Sequence, residues 1–259
     1  MNKRKILWIF ICIFAGILIL TGCQSSTKVD PTPDIHVKRD LTADPPVRYD
    51  VPDNAKSQSI PSILDYAISS DVSAISEASS VIVRGVVQEV TFTSYSGNAF
   101  TAVSFAVDEC YKGNLQQGDL ITILHRGGYI PLQDHIAQYN DAFRFEELSN
   151  EEIANTILHE VYEGESDPQI GDHNIYFLNA TNSDSGLPTE AYQRTRGISS
   201  LFRVEPDGET VSRRNYDMYM ETAEENPGAA APFSAQNGTD PYGNETFSLQ
   251  EIVDIACTD

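Results

Sequence analysis

Apolar residues follow two different patterns along this 259-residue chain. One uninterrupted apolar run, residues 6–20, stands near the amino terminus, directly after the basic residues Lys3, Arg4 and Lys5. From about residue 80 onward, apolar positions come in short runs or alternate with small and polar ones, which is typical of half-buried strands. The first pattern predicts an export signal, and the second predicts a mainly β domain.

The short and alternating apolar segments predict a series of strands. They cover residues 81–90, 101–110, 120–124 and 175–178, followed by a hairpin of residues 201–204 and 210–211. Val103, Phe105 and Val107 share one face of the second strand, because successive side chains of a strand point to opposite faces. Gly85, in the middle of the first strand, predicts a bulge or a sharp bend such as barrels need at their corners.

Three short helices are predicted from capping patterns and helical spacing. The first covers residues 71–78. Ser149-Asn150-Glu151-Glu152 is a capping-box pattern ahead of a second helix, and Ser248-Leu249-Gln250-Glu251 repeats it ahead of a third. The apolar face of the second helix would be Ile153, Ile157 and Val161. Residues 221–246, between these two helices, are rich in Ala, Pro, Gly and Asn and predict a long mobile loop.

The residues Leu20-Thr21-Gly22-Cys23 end the apolar run. Fifteen residues rise only about 22 Å as a helix, short of the roughly 30 Å hydrocarbon core, which disfavours a permanent transmembrane anchor. The four residues resemble the lipobox of bacterial lipoproteins. The resemblance implies cleavage between Gly22 and Cys23, diacylglycerol and palmitate chains on Cys23, and a lipid-anchored location on the extracytoplasmic face of the cell membrane. An uncleaved anchor helix, or an ordinary secretory signal with an incidental cysteine, is the alternative.

This resemblance divides the chain into three parts. Residues 1–22 would be the signal peptide, and residues 23–59 the lipidated cysteine with a flexible linker. Five prolines and no apolar periodicity favour a disordered tether there, with a packed N-terminal extension as the alternative. Residues 60–259 have the length of a single domain.

The chain is strongly acidic, and this limits its partners. The formal net charge is −21, and loss of residues 1–22 would remove three positive charges and no negative ones, giving −24. Such a surface repels phosphate backbones and anionic membranes, which argues against nucleic acid and leaves acylated Cys23 as the contact with the lipid bilayer. The sequence contains no phosphate-cradling loop or dinucleotide fingerprint, and no cofactor is predicted.

Two cysteines remain for the folded part once Cys12 leaves with the signal and Cys23 takes lipid. An extracytoplasmic compartment permits a disulfide between Cys110 and Cys257. This bridge would close a loop of about 150 residues and contribute roughly 4–5 kcal/mol. Two buried free thiols are the alternative, and the sequence leaves both open.

Three segments resemble netrin-like domains of the tissue-inhibitor-of-metalloproteinase type. They are residues 77–87 (EASSVIVRGVV), 107–113 (VDECYKG) and 171–178 (GDHNIYFL). The resemblance implies a mainly β fold, an OB-like barrel, closed or partly open, with a few flanking helices. Inhibitors of this type chelate a protease's zinc with a free N-terminal cysteine. Here the N-terminal cysteine would be acylated and lies well before the barrel, so the inhibitory mechanism does not carry over.

Histidines supply the candidate chemistry. The ligand or metal candidates are His125, His135 and His173, with Asp134 or Asp172 as orienting carboxylates. Gly127-Gly128 follows the first of them and allows close approach of a ligand or another backbone. None of these histidines has metal-ligand spacing such as H-x-x-x-H, so solvated loop histidines beside a glycine turn are the alternative. No catalytic residue is predicted, because His159-Glu160 lacks the second histidine of a zinc-protease helix.

Two further groups of residues stand out near the carboxyl-terminal third. The dense positive charges are Arg194, Arg196, Arg203, Arg213 and Arg214. Two interpretations are open. These arginines bind a carboxylate or sulfate ligand, or they pair with the Asp and Glu residues that outnumber the basic residues in this chain. Tyr216, Met218, Tyr219 and Met220 form either a contact surface or ordinary packing.

Together these features predict a bacterial, lipid-anchored, extracytoplasmic protein that acts by binding rather than catalysis. A metal-assisted enzyme built on His125 and His173 is the first alternative. A purely structural envelope protein, with an envelope protein as its partner, is the second.

Overall fold

Strands dominate the part of the chain that the structure describes, and the predicted mainly β class is confirmed. The structure is a computed structural model that describes residues 47–48, 56–60, 67–95, 97–140, 142–162, 165–182, 186–215 and 244–258. All of them belong to one compact unit, Lys38–Asp259.

The described residues form strands, short α-helices and two 3-10 turns. The strands are β1 (Val47–Arg48), β2 (Lys56–Ile60), β3 (Val81–Tyr95), β4 (Asn98–Lys112), β5 (Leu120–Arg126), β6 (Gly128–Pro131), β7 (Ile157–Tyr162), β8 (His173–Ala180), β9 (Ala191–Arg194), β10 (Leu201–Val204), β11 (Thr210–Arg214) and β12 (Asn244–Ser248). The helices are α1 (Val72–Ala78), α2 (Leu132–Tyr139), α3 (Asn150–Ala154) and α4 (Leu249–Ala256), and the 3-10 turns are Ala142–Phe145 and Gly197–Ser200.

Five strands form a ring of hydrogen-bonded pairs. β3 pairs with β4, β4 with β5, β5 with β9, β9 with β8, and β8 again with β3. All of these pairs are antiparallel except β5–β9, which is parallel. The large sheet continues from β8 through β10, β11 and β12, while β1 pairs with β3. A second sheet has the order β2-β7-β6.

Alternation along the strands separates two hydrophobic cores. All five strands of the ring contribute to the first core, which contains Val103, Phe105 and Val107 of β4 as predicted. The second core uses the opposite faces of β3 and β8, where Ile82 and Phe177 pack with α1, α4, β10 and β11. Side chains that are adjacent in sequence therefore belong to different cores.

The two helices of the second core begin at side-chain caps. Asp71 accepts a hydrogen bond from the Ser73 backbone N–H at 2.8 Å, and Ser248 accepts one from Glu251 at 3.2 Å. These contacts satisfy backbone donors that the first helical turn leaves unpaired. Both helices bury an isoleucine completely, Ile75 in α1 and Ile252 in α4.

Gly85 lies at the bend that the sequence predicted in β3. The pairing of β3 with β4 shifts register between Arg84 and Gly85. A Cβ at this position would come within 1.9 Å of the Ala106 carbonyl oxygen on β4. The absence of a side chain therefore lets the two backbones approach each other at this point.

The predicted second helix is wrong beyond its first turns. The capping box between Ser149 and Glu152 is present, but α3 ends at Ala154. Ile157 and Val161 instead belong to β7, which pairs parallel to β2 and antiparallel to β6. Pairing with two strands that are distant in sequence overrides the local helical spacing.

Two predicted irregular segments also contain strands. β1, and all of β2 except Ile60, fall within residues 23–59, for which a flexible linker was predicted. Residues 244–246, assigned to the long loop, belong to β12, which pairs with β11. The other residues of the linker and residues 216–243, with Tyr216, Met218, Tyr219 and Met220, lie outside the described residues.

Cys110 and Cys257 are both free thiols in this structure. Cys110 packs against the first core, and its Sγ donates a hydrogen bond to the Lys112 carbonyl oxygen at 3.2 Å. Its neighbour Tyr111 packs in the second core with α4, whose C-cap is the exposed Cys257. Cys110 therefore faces the first core, whereas Cys257 ends a helix that packs against the opposite face of β4 and is exposed, which differs both from the disulfide and from the two buried thiols.

Candidate functional site

A series of polar side chains occupies one end of the first core. On β5, His125 follows Ile121 and Ile123 on the face that points into the first core. On β8, Asn174 and Tyr176 precede Leu178 on the face that points into the same core. His125 Nε2 lies 3.0 Å from the Tyr176 hydroxyl. The Asn174 amide donates to the same hydroxyl at 3.5 Å. The ring of strands thus brings polar groups from two non-adjacent strands into contact.

Glu165 and Arg194 border this series. Arg194 Nη1 donates to Glu165 Oε1 at 2.6 Å. The same carboxylate oxygen lies 3.9 Å from His125 Nδ1, an atom that is buried and has no hydrogen-bond partner. Arg194 is at the end of β9, which is parallel to β5, and the register places it beside His125.

Burial keeps His125 and Tyr176 neutral. Desolvation, with a smaller contribution from the charge of Arg194, holds the pKa of His125 well below its ordinary value of 6.5. Desolvation also raises the pKa of Tyr176, so its hydroxyl keeps its proton. The contact between them is therefore a hydrogen bond between uncharged groups at neutral pH.

We expect the substitution His125→Gln to reduce the loss of stability at acidic pH. The unfolded chain takes up a proton on His125 near pH 6.5, whereas the folded protein resists it. The stability linked to neutral His125 is thus fully present above that pH and falls below it, by at most about 1.4 kcal/mol per pH unit. Urea unfolding at about pH 7.5 and about pH 5.5 should show a loss roughly 1 kcal/mol larger in wild type than in the variant. Equal losses would contradict the argument.

A cleft adjoins this polar series, with about 530 Å³ of empty space when the open solvent at its mouth is included. Arg203 and Arg214 line it with Ser212, Asp172, Glu165 and the apolar Pro168, Ile198 and Leu201. Asn174 and Tyr176 also reach its wall. Asn174 is only 2% exposed, and its Oδ1 is buried without a hydrogen-bond partner. Buried polar atoms are nearly always paired, so this acceptor beside a cleft is available to a donor from a water or a ligand.

A smaller cavity shares Glu165, Ser166 and Pro168 with the cleft and has His125 and Glu160 in its wall. The paired glycines also border it. A Cβ on Gly127 would lie 2.6 Å from the Glu160 carbonyl oxygen, and one on Gly128 would lie 2.5 Å from Thr101 Oγ1. Close approach of β7 and β4 is thus sufficient to explain both glycines.

The three candidate histidines do not converge. His135, in α2, lies 2.5 Å from Glu160, and His173, at the start of β8, lies 3.3 Å from Asp108. His125 has Tyr176 and Glu165 as neighbours instead. His159, which pairs with Asp167 at 3.1 Å, completes the described histidines. Within the described residues, no group of three or more His, Cys, Asp or Glu side chains is arranged to hold a metal ion.

Two of the five arginines pair with carboxylates, Arg194 with Glu165 and Arg213 with Glu245. Arg213 also donates to the carbonyl oxygens of Ser199 and Ser70, and Arg196 donates to the Ile68 carbonyl oxygen. Arg194 and Arg213 therefore show the pairing with acidic residues that the sequence offered as one alternative. Arg203, Arg213 and Arg214 all line the cleft. Their clustering at one cavity was not predicted.

Sequence reasoning overlooked Asn174, Tyr176 and Glu165. Alternation would have placed Asn174 and Tyr176 on the same strand face, but nothing local indicated that this face is the inner one. Glu165 lies in the connection between β7 and β8 and carries no motif. His125 was the only member of the polar series among the candidates.

Gly22 and Cys23 lie outside the described residues, and their processing stays a prediction. In the described part of the chain, no helix is both long and apolar enough to cross a membrane. In the comparisons with known proteins, no protein-family model matches the chain, and no curated protein is significantly similar to it.

Proposed function

We propose that this protein is a bacterial lipoprotein of the extracytoplasmic membrane face whose OB-like domain binds a small ligand. The ligand site is the cleft lined by Asn174, Tyr176 and the arginines of β10 and β11. The protein acts by binding, and no catalytic step is assigned to it.

The amino-terminal sequence supports the anchor. A basic start, an apolar run of fifteen residues, small residues and Cys23 occur in the order that lipid attachment requires. Each buried methylene contributes about 0.8 kcal/mol, so two or three acyl chains on one residue hold the protein at a bilayer that its net negative charge would otherwise repel.

The strand pairings support the OB-like barrel. Five strands pair in a series that returns to its starting strand, and five is the number of strands in an OB-like barrel. All five contribute side chains to one core. OB folds carry many unrelated functions, so the binding role rests on the cleft and not on the fold.

The unpartnered Oδ1 of Asn174 is the observation that carries the binding role. An unsatisfied buried acceptor costs free energy, and a bound donor from a ligand would remove that cost. Apolar residues, Pro168, Ile198 and Leu201, line the cleft together with a few polar groups, as in small-molecule sites.

A thermal-shift screen of small metabolites tests this role. The screen compares the wild type with a variant whose cleft is blocked by a large side chain. Ser166→Trp would fill the cleft from its wall, while Ile170→Trp, at a 70% exposed position of the same connection, is the matched control. A ligand at about 100 times its Kd stabilises by about 2.7 kcal/mol. For a domain of this size that corresponds to a rise in Tm of roughly 5–10 °C.

The rise should occur in wild type and Ile170→Trp and be absent in Ser166→Trp. A compound that stabilises all three proteins equally would place its site elsewhere. A protein that no metabolite stabilises, but that crosslinks to an envelope protein in cells, would be the structural module instead.

A further inference from the structure

We propose that the cleft takes a small molecule of the amino-acid type, which carries a carboxylate and a neighbouring N–H or O–H donor. This inference rests on the proposed function, because it specifies the ligand of the same cleft. Its support comes from charge, from the orientation of Asn174 and from the apolar part of the wall.

The charge of the cleft is opposite to that of the chain. Three arginines, Arg203, Arg213 and Arg214, line it against two carboxylates, Glu165 and Asp172. The wall is thus net positive in a chain of formal charge −21. Arg213 and Arg214 are also buried, which strengthens their interaction with an anion. A planar carboxylate matches the donor geometry of a guanidinium group.

The structure orients the amide of Asn174 with its nitrogen toward Tyr176. Nδ2 donates to the Tyr176 oxygen, and the Tyr176 hydroxyl lies 3.0 Å from His125 Nε2. This orientation leaves Oδ1, an acceptor, for the cleft. A ligand must present a donor there, because an anion alone would be repelled by the amide oxygen.

The donor and the carboxylate of the ligand therefore occupy neighbouring parts of the cleft. The carboxylate belongs with Arg203 and Arg214, and the donor belongs with Asn174, the cross-strand partner of Arg203, in a wall that also holds Glu165 and Asp172. These two carboxylates favour a charged ammonium donor over a neutral hydroxyl. Pro168, Ile198 and Leu201 supply an apolar surface, which suits a hydrocarbon side chain.

Four related probes test this chemistry by isothermal titration calorimetry on the full-length lipoprotein in detergent. They are L-leucine, L-alanyl-L-leucine, N-acetyl-L-leucine and L-leucinamide. The two zwitterions contain both required groups, and their comparison distinguishes a free amino acid from the end of a peptide as the ligand. Leucinamide lacks the carboxylate and should bind at least about tenfold more weakly than its parent, and acetylation should also weaken binding because it removes the ammonium charge.

Arg214→Gln tests the carboxylate contact, and Arg84→Gln is its control, since Arg84 pairs with Glu109 away from the cleft. The first variant should weaken binding of the zwitterion by about tenfold or more, while the second should leave it unchanged. The comparison of leucine with leucinamide needs no variant, so it stands even where Arg214→Gln is too unstable to purify.

Equal binding of leucine and leucinamide, or no binding of any of the four probes, would overturn the inference. The proposed function is tested by different outcomes from those that test the ligand type. A ligand of other chemistry whose stabilising effect is lost in Ser166→Trp would preserve the binding role while refuting the amino-acid type. If no compound binds and Ser166→Trp changes nothing, the binding role fails as well.

Discussion

Replacing Cys23 with alanine is expected to abolish the incorporation of labelled palmitate into this protein. Only a thiol at this position can form the thioether to diacylglycerol, because the thiolate is the nucleophile that takes up the lipid. Processing between Gly22 and residue 23 should fail as well, so the variant keeps residues 1–22. Gel autoradiography after metabolic labelling measures the first effect, and intact mass measures the second.

Cys12→Ala is the matched control for this experiment. Cys12 lies within the apolar run, so the control variant should incorporate label and lose residues 1–22 like the wild type. Sedimentation alone would mislead, since an unprocessed apolar run can itself hold a chain at a membrane. Labelling of the Cys23→Ala protein, or its cleavage at the same bond, would refute the lipid anchor and leave an ordinary export signal.

Gly85→Ala is expected to produce the largest loss of stability among single-methyl additions in the ring of strands. The new Cβ would meet the Ala106 carbonyl oxygen at 1.9 Å and Phe105 Cε1 at 3.0 Å. The carbonyl belongs to the backbone of β4, whose pairing with β3 prevents it from moving away. Overpacking against a fixed backbone costs about 3 kcal/mol. Thermal unfolding should show this as a fall in Tm of roughly 6–12 °C.

Gly118→Ala separates crowding from backbone strain. Gly118 has a φ of +92°, but a Cβ there would have no atom within 4 Å. Its substitution should therefore cost only the strain of a left-handed alanine, about 1–2 kcal/mol. Gly85 is not among the positive-φ residues, so its cost comes from crowding alone. An equal loss of stability in the two variants would show that contact with Ala106 is not the reason for glycine at position 85.

The strands that the sequence predicted share one property. Each of them shows its pattern of buried and exposed residues within a single short segment. Val103, Phe105 and Val107 alternate strictly, and β4 carries them on one face as expected. β2, β6 and β7 were missed because their pairing depends on distant residues, about 100 positions apart in Lys56 with Leu158 and about 30 in Gly128 with Glu160. Ile157 and Val161 fit a helical spacing as well as a strand, and only the pairing with β2 and β6 decides between them.

The candidate site was predictable only at His125. That residue was singled out for its neighbouring glycines, and the close approach of β7 and β4 is sufficient to explain these. What distinguishes His125 is that it continues the inward-facing series of β5 and meets Tyr176 from a strand that is not its neighbour. A single sequence does not show which strands close a ring, so this contact could not be derived from spacing.

The sequence by itself determined the acidic charge, the lipoprotein-like amino terminus and the mainly β class, because each depends on composition or on patterns shorter than about 20 residues. The tertiary structure alone decided which face of each strand is the inner one and that His125, Asn174, Tyr176 and Glu165 gather at one end of the core. It also decided that three arginines line one cleft. The physical reason is that these contacts join different strands and connections, such as His125 with Tyr176, 51 positions later, and Glu165 with Arg194, 29 positions later, and their free energy exists only after the strands have paired.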